Sequence, residues 1–361
     1  MKKVLIILSL ILIICIKAYA VPVYLSEAAT EITDGSFDYR NGISAEHSKR
    51  AAEALKPQNI LIYMLDGVKE ILSGSCTGLA LMLAVVFIAS FTEIFSKNLG
   101  SAYVISDFIS LLTLMLLCLD MITPLLLSVT GFLDKHTSFM TAMTSTSAVL
   151  LSASGSAGSA AVSSVSASFI TAFTQICSVN IILPAVKVII VLSSVGAISK
   201  SLDLSGIISF LKSFCLYGTG LLFAVFLSVH ALTLDIASGS DSLIFKSLRF
   251  TAARLIPIAG GMISESIKTV LAGMNVIKKS AGGIGIAYII YTAIPAVISV
   301  LSVKTAIVIT LAVSRLFSVR KHAHFLDGLN GACNLLLSIC IFAAFSGIII
   351  LAVFMKTTLN M

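Results

Sequence analysis

The sequence predicts an all-α polytopic membrane protein, with about eight transmembrane helices and further amphipathic helices at the membrane surface. Three observations carry that prediction. Hydrophobic residues fill 58% of the 361 positions and charged residues only 11%, where a soluble domain has about 25% charged. Mean hydropathy is +1.06. Apolar runs long enough to cross a bilayer, which takes about 20 residues, recur along the chain between short polar turns.

Residues 1–20 read as a signal peptide: Lys2 and Lys3 precede an apolar core from Val4 to Ile16, and Ala18-Tyr19-Ala20 fits an A-x-A cleavage site. An uncleaved first span is the alternative. Residues 21–75 form a polar extracytoplasmic segment whose first half is too poor in apolar residues to build a core. Its end, from Ile60 to Leu72, places Ile60, Leu61, Met64, Leu65, Val68 and Ile71 on one helical stripe, an amphipathic helix ahead of the first span.

Residues 76–355 make up the multi-span domain. Runs at 77–95, 104–127, 169–197, 206–232, 284–303, 305–318 and 333–354 are crossing candidates. The stretch 139–168 is nearly all Ser, Ala and Gly from Ser152 to Ser168. It is either a flexible linker or, the reading preferred between apolar flanks, a helix built for close packing. Asp134-Lys135-His136 separates it from the run before it.

The basic region 240–283 stands out. From Lys246 to Gly283, the bases Lys246, Arg249, Arg254, Lys268, Lys278 and Lys279 stand against a single acid, Glu265. Pro257 and Gly260-Gly261 divide it into two helical pieces. In the second piece Ile263, Ile267, Val270, Leu271, Met274 and Ile277 recur at helical spacing, the pattern of an amphipathic helix on an anionic surface. Pro257, Gly260, Gly261, Gly282 and Gly283 are therefore candidate hinge or partner-docking positions; an ordinary loop between spans is the alternative. With the N-terminus outside and eight crossings, 233–280 and 319–331 both fall in the cytoplasm, in agreement with the positive-inside rule.

Catalytic signatures are absent: the chain has no HExxH, GxSxG, P-loop or dinucleotide fingerprint. This reading expects no enzyme, no cofactor and no metal. His322, His324 and Asp327 are close enough to ligate a metal, but a solvated, topology-setting turn accounts for them. Asp107 and Asp120, 13 residues apart, read as helix-end acids. Ionisable residues within spans are costly and so are candidates for function; these are Glu93, Lys187, His230 and Arg315, of which only Lys187 lies well inside a run. The seven cysteines sit almost entirely in apolar runs without ligand spacing and read as core residues. A net charge of +7, lower once the signal is removed, argues for topology-setting and lipid contact rather than nucleic acid.

The string LIPIAGGMISESIKTVLAGMNVIKKSAGGIG at 255–285, the Pro184-containing span, and FLDGLNGACNLLLS at 325–338 before a final span occur in an order that resembles the stage III sporulation protein AE family of endospore formers. The resemblance implies an integral subunit of a mother-cell, secretion-like channel complex needed for forespore development. It implies residence in the outer forespore membrane, and as partners the other proteins of the stage III A operon, a secretion-type ATPase among them, and a forespore membrane protein across the intermembrane space. Homo-oligomerisation is a further expectation. A stand-alone transporter is the alternative, although no internal repeat supports it.

Overall fold

In the computed structural model the described residues are 57–94, 101–199, 204–232, 236 and 260–356, with side chains described from 76, 103, 204 and 279 onward in the main segments. They form helices and short turns, with no strand among them. Six helices follow one another: α1 (Pro57–Ile94), α2 (Ser101–Ala153), α3 (Ala157–Ile198), α4 (Ser205–Leu232), α5 (Gly260–Leu316) and α6 (Arg320–Lys356). All six contain a stretch long and apolar enough to cross a membrane. The protein is an all-α polytopic membrane protein.

The helices are fewer and longer than the eight expected. The runs 284–303 and 305–318 are one unbroken helix, α5. Lys304 does not interrupt it, because a lone Lys is a good helix former. Asp134-Lys135-His136 does not stop α2 either: Asp134 and Lys135 face outward while His136 is buried. The break falls instead inside 139–168, at Ser154 to Ser156, where Gly155 takes φ 80°, a conformation that glycine adopts without steric cost. The amide of Ser156 bonds the Leu151 carbonyl across this turn. Both halves of the small-residue stretch then pack face to face, with Ser159, Ala160, Ser163 and Ala167 of α3 buried. Small side chains let the two backbones approach.

Pro184 leaves its mark in α3. A proline lacks an amide hydrogen and crowds the carbonyl four residues back, and the helix widens to a π turn over Cys177–Ile182 just before it. Here the amide of Leu183 reaches the Ser178 carbonyl, five residues away. Pro124 and Pro295 lie inside α2 and α5 on outward faces.

The two amphipathic segments are not separate surface helices. Ile60 to Leu72 lies within α1, and the stretch from Gly260 onward is the start of α5, continuous through Gly282 and Gly283. At about 1.5 Å per residue, α5 is about 85 Å long. Lys278 and Lys279, within this helix, therefore lie more than about 50 Å along it from Arg315 near its end. That separation removes the earlier agreement that put both basic connections on one side. Residues 1–56, which hold the signal peptide and polar segment, and residues 240–259, with Pro257, lie outside the described residues.

α6 forms the axis. It runs antiparallel to α5 along most of its length and packs against α2 and both halves of α3. Leu326, Leu329, Cys333, Leu336, Cys340 and Ala343 on it are at most 1% exposed. α1 and α2 close the core beyond α5 through Met82, Val86, Leu114 and Cys118. α4 is the most exposed span and is held by rings: Phe226 meets Phe173 at 4.6 Å and Phe169 at 5.2 Å, and Phe223 meets Phe342 at 5.6 Å. Edge and stacked ring pairs at these distances add to the area buried.

Candidate functional site

Polar side chains gather where the α5–α6 turn meets the start of α2 and the end of α1. A 57-residue helix must reverse here, and it does so over Phe317 to Val319, with Ser318 at φ 62°. The reversal sets the first turn of α6 beside α2. Lys321 forms an ion pair with Asp107, whose side chain is only 8% exposed. Ser110 Oγ lies 2.9 Å from the Asp107 backbone carbonyl and 3.2 Å from His322 Nε2. Tyr103 donates to Glu93, joining α2 to the end of α1. On the far side Arg315 pairs with Asp327 at 2.8 Å, both well exposed, and Lys212 of α4 donates to the Asp327 carbonyl at 3.4 Å.

Close backbone approach completes this end. A Cβ on Gly328 would overlap the Ser193 side chain, and one on Gly331 would meet the tip of Lys212. A cavity of about 360 Å³ between α4 and α6 is lined by Ser205, Ser209, Lys212, His324 and Asp327.

Chemically this is a tie between helix ends. A serine beside a histidine is the pair a hydroxyl nucleophile needs, but Ser110 and His322 are 7% and 0% exposed. His322, His324 and Asp327 turn to three different neighbours, Ser110, Gly196 and Arg315. Among the described residues no three metal-ligating side chains converge.

Of the residues singled out in the sequence, Glu93 and Arg315 belong to this polar end. His230 is buried near the opposite end, its Nδ1 2.6 Å from Ser166 Oγ. Lys187 is exposed on the outer face of α3. Gly260 and Gly261 are the first residues of α5. A Cβ on Gly282 would overlap the Met355 side chain, while nothing stands within 4 Å of one on Gly283; both lie within the continuous helix α5. Sequence reasoning missed the partnership of Asp107, Ser110, Lys212 and Lys321, which are separated by as many as 214 residues. The signal available was the small-residue spacing of Gly328, Gly331 and Ala332 on α6, the pattern of a close helix contact.

The comparisons with known proteins agree with one another. The family model described as stage III sporulation protein AE matches residues 42–358, which takes in every described helix. The stage III sporulation protein AE of Bacillus subtilis (strain 168) is 23% identical over 173 residues, covering 48% of this chain and 43% of that protein. No solved structure matches. With a match that runs from ahead of α1 to the tail beyond α6, the chain belongs to the stage III sporulation protein AE family.

Proposed function

We propose that this protein is an integral subunit of a membrane complex that serves forespore development, acting as part of a channel or export platform in the mother-cell membrane around the forespore. The family supports the sporulation role. The observation that favours a subunit over a stand-alone transporter is the packing of α6. Its inward residues, from Leu326 to Ala343, fill the centre of the bundle and are at most 1% exposed, whereas a transporter places its substrate site at the bundle's midplane between broken helices. A passage would thus be built between copies or with partner subunits. The partners proposed are the other stage III A-operon proteins, including a secretion-type ATPase to supply energy, and a forespore membrane protein facing them.

Deleting the gene tests this reading. Vegetative growth should stay normal while forespores arrest, and a tagged copy should restore spores and co-purify with the ATPase. Normal spore yield in the deletion strain would end the proposal.

A further inference from the structure

Two side chains of opposite charge stand on the apolar outer surface. Asp120 of α2 and Lys187 of α3 are both exposed, and neither makes an ion pair or hydrogen bond among the described residues. Their surroundings are hydrocarbon: Leu116, Leu119 and Leu127 are exposed on α2, and Ile181, Val188 and Val191 on α3. A charge left facing lipid is costly. An aspartate, with one methylene, cannot reach toward the headgroups as a lysine can.

The contacts with α6 fix their heights. Asp107 and Ser110 lie beside Lys321 and His322, and His136 beside Gly347, which puts Asp120 level with about Ala332. Ser193 lies beside Gly328 and Gly196 beside His324, which puts Lys187 level with about Asn334. The two charges thus differ in height by about 3 Å through α6, and by about 8 Å counted from the Thr137–Gln175 hydrogen bond that joins α2 to α3, a gap that the long lysine side chain narrows. That level is midway between the Asp107–Lys321 pair and the outward Asp134-Lys135. Within one copy they make no ion pair with each other among the described residues. At this height α2 packs against α1, where Gly78 meets Met121 and Met82 meets Cys118, while α3 packs against α6. Lys304 of α5 lies at the same level, half-buried and without an ion pair among the described residues.

We propose that Asp120 of one copy pairs with Lys187 of the next, so that copies of this chain join head to tail in a ring around an axis along the membrane normal. A rotation about that axis preserves height, so such a ring requires the two partners to lie at one depth on different faces of the chain. Head-to-tail contacts of this kind close into rings. An acid and a base at similar depth satisfy each other and remove two charges from lipid. This inference needs only the bilayer and stands apart from the sporulation role; its readout is association between copies, not spore yield.

The full chain carrying Asp120→Cys and Lys187→Cys together, oxidised in native membranes, should give a ladder of cross-linked multimers, and each single variant should not. A ladder that is absent at normal protein levels, or a cross-link confined to one chain, would overturn the ring. In lipid nanodiscs, Asp120→Lys should lower the multimer fraction about tenfold by mass measurement, and adding Lys187→Asp should restore it. Should Asp120→Lys not insert, Asp120→Asn should show the same loss in milder form. An unchanged multimer fraction in an inserted variant, or failure of the swap to restore it, would exclude the pairing.

Discussion

Lys321 in the first turn of α6 reaches across to Asp107 in the second turn of α2, an ion pair between residues 214 positions apart. Asp107 is 8% exposed and Lys321 29%, so the pair is largely withdrawn from water. Removing one partner of such a pair strands the other. Asp107→Ala is expected to destabilise the protein by about 3 kcal/mol, whereas Asp107→Leu with Lys321→Met should cost about 1 kcal/mol or less. Thermal unfolding of the detergent-purified variants checks both, and equal losses in the single and double variants would show that the pair contributes nothing specific.

Glycine positions on α5 and α6 separate close packing from open space. Gly328→Ala would drive a methyl into the root of the Ser193 side chain, which cannot move without its helix. A loss of about 1–3 kcal/mol is expected from such overpacking. Gly283→Ala meets nothing within 4 Å and should gain up to about 1 kcal/mol from helix propensity. The same unfolding measurement reads both, and a neutral Gly328→Ala would mean that α3 and α6 are free to separate.

Two turns carry left-handed residues. Gly155 has φ 80° and Ser318 has φ 62°. A side chain in this region costs about 1–2 kcal/mol. Gly155→Ala should therefore destabilise the α2–α3 turn by about that amount. Ser318→Gly should stabilise the α5–α6 turn by up to about 1 kcal/mol, the gain reduced by the greater freedom of glycine in the unfolded chain. Melting temperatures moving in opposite directions would bear this out.

The length of α5 makes a topological prediction. Lys279 and Arg320 are exposed, the first within α5 and the second just past the turn that follows it. The helix between them spans more than 50 Å at 1.5 Å per residue, beyond the roughly 40–45 Å of a whole bilayer. Lys279→Cys and Arg320→Cys should be labelled by a membrane-impermeant thiol reagent from opposite sides. Cys118, Cys177, Cys215, Cys333 and Cys340 are buried and should stay silent. Labelling of both positions from one side would require α5 to bend back within the membrane.

Composition and apolar run length alone determined that this chain is helical and membrane-bound, because a bilayer accepts only segments that satisfy their own backbone hydrogen bonds. The order of its strings in 255–285 and 325–338 was enough to point to the family. Helix boundaries were less legible. Lys304 and Asp134-Lys135-His136 look like turns to a hydropathy count, yet an isolated charge costs a helix little, so these segments run straight on. Gly155, which turns the chain between α2 and α3, sits in a stretch where its neighbours are nearly all small, and local sequence does not distinguish it. The polar end was illegible for another reason. Asp107, Ser110, Lys212, Lys321 and His322 come from three helices, and only the packing of α6 between them brings them together. The similar depth of Asp120 and Lys187 is likewise a property of the bundle, set by how α2 and α3 register against each other and against a third helix.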